Sequence, residues 1–179
     1  MWTMWPEGSA YFTKSTRGKY AYSVKKAKKL FKEAGWNPND TLQVGYSAPQ
    51  AQLKTWAEIF QSQMADAGVK VELVPMQDIV TQFYRNAQTP AAVSLWIRPG
   101  LQKVTRAFGP NSVANVCNYS DPELDQLTAQ IAALPPGDPQ LKKLWDQVNT
   151  KITDELLWNF AVWQPLVHAW NSKKVTGVT

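Results

Sequence analysis

From residue 23 onward, apolar positions fall first at helical and then at alternating spacing, and they do so twice in succession. Val24, Ala27, Leu30, Phe31 and Ala34 recur at the three- and four-residue intervals of one helix face. Ser23 before them is a suitable N-cap, and Gly35 after them supplies a left-handed stop. Asn37-Pro-Asn-Asp40 is a turn, because Pro fixes one dihedral and Asn or Asp bond their own backbone. Residues 41–46 then alternate as a strand. The second unit opens at Ser47-Ala-Pro-Gln50 and sets Leu53, Trp56, Ala57, Phe60, Met64 and Ala67 along one face. Gly68 stops it, and Val69, Val71 and Leu73 alternate with Lys70 and Glu72. Helix and strand in alternation predict an α/β fold, in which helices flank a mixed β-sheet.

Further along, Asp78 caps a short predicted helix through Phe83 and Tyr84. Residues 91–96 are a continuous apolar run closing on Trp96, the pattern of a strand buried on both faces. Residues 98–120 show no period and read as a long loop, which in a compact domain is often functional. Asp121-Pro122 and Asp138-Pro139 each offer an N-cap followed by proline at the first helical position. The helices behind them use Leu124, Leu127 and Ile131, then Leu141, Leu144, Trp145, Val148 and Ile152. Residues 158–165 read as an aromatic loop or short strand, and 166–170 as a last strand. The organisation predicted is an irregular opening segment, 1–22, and a single α/β domain over 23–179.

Composition narrows the picture. A chain of 179 residues with 44% hydrophobic content fits one domain with a real core. No apolar run approaches the ~18 residues that span a bilayer, and the first residues, neither basic nor apolar, do not read as a signal peptide. Cys117 is the sole cysteine, which excludes an internal disulfide. The net charge of +5 is concentrated at Lys25, Lys26, Lys28, Lys29 and Lys32. These fall opposite the apolar face of their helix, so they read as a solvated face rather than a patch for nucleic acid or membrane. No aromatic interleaves with them, as single-strand binders require.

Candidate catalytic chemistry is scarce. His168 is the only histidine and sits between Val167 and Ala169 in a predicted strand. There is no nucleophile elbow and no phosphate-cradling Gly-rich loop. One Cys and one His cannot build a usual zinc site, and no cofactor is implied. Asp121, Glu123 and Asp125 are explained by helix capping and the macrodipole, and Asp154 and Glu155 by an exposed helix end. The nine tryptophans are several times the usual share and suit a core, an interface or a ligand cleft.

An ordered series of short motifs carries a resemblance. It comprises Ala27-Lys-Lys-Leu30, Glu33-Ala-Gly35, Met64-Ala-Asp-Ala-Gly-Val-Lys-Val-Glu-Leu73, the strand closing on Trp96, Asn118-Tyr119-Ser-Asp-Pro-Glu-Leu-Asp125 and Lys174-Val-Thr-Gly-Val178. Together these resemble the C-terminal lobe of the extracytoplasmic solute-binding proteins of the peptide and nickel ABC importer family, family 5. The resemblance implies one lobe of a type II periplasmic-binding-protein-like fold, N-terminally truncated. It also implies a periplasmic or extracytoplasmic location, with the signal peptide not in this chain. The partners implied are a small-molecule or peptide-like solute, the missing N-terminal lobe and a membrane permease, with no nucleic acid. An aromatic cleft face left open would further invite a homodimer of the isolated lobe.

The same resemblance implies that Trp96 contacts the ligand by stacking. Peptide binders of the family carry an aspartate three residues after that Trp, and this chain has Pro99 there, preceded by Arg98 and followed by Lys103 and Arg106. Arg98 could fork onto a carboxylate or phosphate, so an anionic or neutral solute is expected rather than a free peptide amine. Asn118 and Tyr119 match the family's Asn-Tyr, and Tyr46, ending the first strand, is a comparable candidate. Two rivals remain: a stand-alone protein-interaction module using its Trp-rich surface, and an enzyme of unknown type.

Overall fold

The computed structural model describes residues 3–98, 100–155, 158–159, 170–171 and 173–174. Helix α1 (Val24–Glu33) starts where Ser23 Oγ accepts from Lys26 N at 3.2 Å and ends before Gly35, whose φ is +71°. Strand β1 (Thr41–Ser47), helix α2 (Ala51–Asp66) and strand β2 (Lys70–Met76) follow as the spacing predicts. Asp78 Oδ1 accepts from Val80 N and Thr81 N, but the turns behind it wind as one π-helical turn, Val80–Arg85.

Strand β3 is Ala91–Val93 alone, and residues 94–98 leave the sheet. The continuous strand expected to Trp96 is therefore three residues long. The three described strands are parallel in the order β2-β1-β3, with Val44 opposite Leu73 on one side and Ala91 on the other. Central β1 is buried from Val44 to Ser47, and Leu53 and Ala57 of α2 complete that small core.

The long loop expected over 98–120 is corrected by helix α3 (Gly100–Phe108). Its inward face is Lys103, Val104, Ala107 and Phe108, a helical spacing that the charge on Lys103 conceals. Gly100 has φ +45°, and a Cβ there would lie 3.0 Å from the Tyr11 hydroxyl, so glycine is required. Helices α4 (Pro122–Ala133) and α5 (Gln140–Asp154) pack against α3 and each other. Asp121 caps α4 through Glu123 N and Leu124 N, and Asp138 Oδ1 accepts from Gln140 N at the start of α5.

Among its described residues the opening segment has no helix or strand, yet it contributes to the helical core. Met4 and Trp5 are 1% and 4% exposed, beside Val104, Leu124, Trp145, Val148 and Ile152. Asn149 Nδ2 donates to Tyr11 O at 2.9 Å and Lys103 Nζ to Met4 O at 2.9 Å, tying that segment to α5 and α3. The predicted strand 166–170, with His168, Pro99 and the Val175–Val178 stretch, lies outside the described residues, apart from Trp170.

Candidate functional site

Parallel strands place their carboxyl ends together, so Ser47 of β1, Met76 of β2 and Val93 of β3 end on one side. With β1 in the middle, the chain leaves toward β2 on one flank and β3 on the other. Such a reversal opens a crevice outside the carboxyl ends of the two diverging strands. Trp96 lies three residues past the end of β3.

Around Trp96 the fold assembles a row of rings. Phe83 and Tyr84 of the π-helical turn stand 5.2 Å apart, and Tyr84 stands 6.0 Å from Trp96. Trp96 meets Trp158 edge-on at 5.5 Å and 90°, and Trp158 meets Phe108 at 5.3 Å. Phe108 reaches Tyr119 at 6.3 Å. The row bridges the sheet half and the helical half. The Tyr84 hydroxyl lies 2.7 Å from Ser94 Oγ, and burial raises its pKa against the opposing pull of that bond.

Trp96 is half-buried, and its indole N–H is enclosed and meets no acceptor among the described residues. The Arg98 guanidinium is exposed and sits 5.3 Å over the Trp96 ring, a cation–π arrangement. One of its N–H groups donates to Ile97 O at 2.7 Å, and it pairs with no carboxylate among the described residues. Four guanidinium N–H groups thus remain on the planar fork beside the indole.

The other candidates sit differently. Tyr46 is 8% exposed within β1, between Pro75 and Val93. Asn118 is exposed at φ +51°, a left-handed turn residue that donates its N–H to Asn115 O. Tyr119 is engaged: its hydroxyl lies 2.7 Å from Asp121 Oδ2 and 2.6 Å from Glu155 Oε2, so one proton serves two carboxylates. Burial and these two acceptors raise its pKa. Lys151 completes the cluster, reaching Asp121 at 2.7 Å, Glu123 at 2.8 Å and Glu155 at 3.2 Å. Burial pushes the Asp121 carboxyl up, but Lys151, Tyr119 and the Leu124 and Glu123 N–H groups outweigh it and bring it to about 2.

Lys103, expected among the cations near Arg98, turns inward instead. It is 9% exposed, stands 4.8 Å over the Trp5 ring, and burial lowers its pKa to about 8. Arg106 is exposed. Among the described residues, no group of three or more His, Cys, Asp and Glu is arranged to hold a metal ion. The arrangement joins half-buried aromatic rings, in tilted and edge-on contact, to one exposed forked cation. Tyr84, Trp158 and Phe108 were not foreseen as neighbours of Trp96, because only tertiary packing brings them together.

Comparison with known proteins places the fold in a family. The family model for bacterial extracellular solute-binding proteins, family 5 Middle, matches residues 1–105, more than half of the chain. The glutathione-binding protein GsiB of Pectobacterium atrosepticum is 28% identical over 174 residues, covering 88% of this chain and 33% of that protein. Among solved structures, the ABC transporter substrate-binding protein CtaP of Listeria monocytogenes aligns with a TM-score of 0.73 at 22% identity, over 87% of this chain and 32% of that one. NikA of Staphylococcus aureus, in complex with Ni(L-His)2, aligns at 0.75 and 13% identity, over 88% of this chain and 34% of its own. The oligopeptide-binding protein AppA of Bacillus subtilis, in complex with a nonapeptide, aligns at 0.70 and 20% identity, over 87% and 34%. The chain spans about a third of the length of these relatives. It belongs to the family 5 bacterial extracellular solute-binding proteins, which bind solutes and are not enzymes.

Proposed function

We propose that this chain forms one lobe of a two-lobe trap of an ABC importer, acting outside the cytoplasm. The trap would close over a peptide-like or other small organic solute and present it to a membrane permease. Binding between lobes favours only the closed arrangement, so the solute shifts an open–closed equilibrium. Family membership and the fold shared with peptide- and nickel-complex-binding proteins support this reading.

The observation that carries it is the Trp96–Arg98 pair at the carboxyl ends of the sheet. Trp96 would supply the stacking surface and Arg98 a fork for a carboxylate on the solute. Tyr46, Asn118 and Tyr119, buried, turn-forming and hydrogen-bonded respectively, would hold the face in shape. The test is calorimetric titration with two short peptides, one acetylated at its amino end and the other amidated at its carboxyl end. The acetylated peptide should bind and the amidated one should not, and Arg98→Gln should erase the difference. Tight binding that needs the free amine and tolerates amidation would reject the assignment.

A further inference from the structure

A second concave surface lies on the helical half, built from residues that the aromatic row does not use. It is a groove of about 710 Å³ between the opening segment and the first turns of α5, lined by Phe12, Lys14, Ser15, Lys142, Lys143 and Asp146 among others. Lys14, Lys142 and Lys143 are exposed along it. Asp146 is the sole carboxylate in the lining, and it already accepts from the Ser15 hydroxyl at 2.6 Å. Phe12 packs against the core and is half-buried, so an apolar ring surface remains inside a basic rim.

The charge along this rim is one-sided, three lysines to one carboxylate. Asp138 accepts from Gln140 N at the start of α5, but no acidic residue stands in the first turn itself beside Lys142 and Lys143. Lys142 and Lys143 also sit at the positive end of that helix, where cations are disfavoured. An anionic partner would balance this excess of positive charge. The lysine stems and Phe12 would meanwhile cover an apolar side chain.

We infer that this groove docks an acidic peptide segment of a partner protein, one that carries two or more Asp or Glu residues around a large apolar side chain. Charge complementarity chooses this occupant, and the Phe12 floor argues against a bare inorganic anion. A groove rather than a flat patch fits an extended segment better than a bilayer surface. The inference does not rest on the solute-binding proposal, since the two faces share no residue.

The experiment is fluorescence anisotropy of the full chain with a labelled synthetic peptide of alternating Glu and Leu. Inorganic phosphate and phosphatidylglycerol vesicles are measured beside it. The peptide should bind with an affinity that falls as salt rises. Binding should drop at least about tenfold in the triple variant Lys14→Gln, Lys142→Gln, Lys143→Gln. These side chains are exposed, so circular dichroism should show the variant folded. A peptide with Ser in place of Leu should bind more weakly, reporting on the Phe12 floor. Equal binding by wild type and triple variant, or binding to vesicles or phosphate but not to the peptide, would overturn the inference.

Discussion

Replacing Lys151 with Met isolates the charge cluster that pins the segment before α4 to the end of α5. The side chain of Lys151 is 18% exposed and its three ammonium protons face three carboxylates, one each on Asp121, Glu123 and Glu155. Those partners differ in worth. Glu123 and Glu155 are 69% and 39% exposed, so each pair contributes at most about 1 kcal/mol. Asp121 is 13% exposed, and its pKa falls from 3.8 to about 2. That difference corresponds to roughly 2.5 kcal/mol shared among Lys151, Tyr119 and the Leu124 and Glu123 N–H groups, and after solvent screening at this rim the Lys151 share is about 1 kcal/mol. Met keeps the stem but leaves three carboxylates without their shared cation, two of them on the Tyr119 phenol, so repulsion brings the loss to about 2–3 kcal/mol.

The pH dependence follows from the sign of the shift. A carboxyl whose folded pKa lies below its unfolded one stabilises above the unfolded value and loses that contribution as pH falls through the folded value. The gap between wild type and Lys151→Met should therefore be full at neutral pH and shrink from about pH 4 toward pH 2. Lys151, raised by the same contacts, stays charged throughout that range and adds no slope. Urea unfolding followed by tryptophan fluorescence measures the gap. A loss below about 0.5 kcal/mol at neutral pH, or a gap unchanged at the acid end, would refute the reasoning.

Three further perturbations probe the packing. Gly45→Ala should cost about 1–2 kcal/mol in a thermal melt, because its Cβ would stand 2.6 Å from Met76 Cε and 3.0 Å from Thr89 Oγ1 in a closed core. Asn149→Ala should cost about 2 kcal/mol and speed hydrogen exchange selectively in the opening segment, since Asn149 Nδ2 holds Tyr11 O and Thr13 Oγ1. Lys103, lowered to about 8 in the fold, binds its proton more tightly when unfolded. Wild-type stability should thus rise from about pH 8 to pH 10.5 by an increment absent from Lys103→Met, measured by urea titration across that range.

The sheet half was legible because its signals are local. Ser23 as a cap and Gly35 and Gly68 as left-handed stops punctuate the chain where the helices end, at φ +71° and +86° for the glycines. Asp121 with Pro122 did the same for α4. Helix α3 was hidden for two reasons: Arg98-Pro99-Gly100 reads as loop, and a lysine occupies the inward face. The packing energy of Val104, Ala107 and Phe108 against Met4 and Trp5 overrides that local signal. Strand β3 stops early because Leu95 and Trp96 leave the ladder, a choice that an apolar run cannot encode. The aromatic row was invisible for a deeper reason: Trp96, Phe108 and Trp158 are distant in sequence, and only the assembled fold sets their rings within 5.5 Å of one another through Trp158.

Indole N–H resonances offer the most direct reading of the solute face, because each tryptophan reports separately in a nitrogen–proton correlation spectrum. The chain should be titrated with the acetylated peptide, assigning signals by single Trp→Phe variants. The account predicts that the Trp96 and Trp158 indoles shift with solute, while Trp5 and Trp145, packed in the helical core, stay in place. Shifts confined to Trp5 and Trp145, or a titration that leaves Trp96 unmoved while calorimetry reports binding, would contradict it.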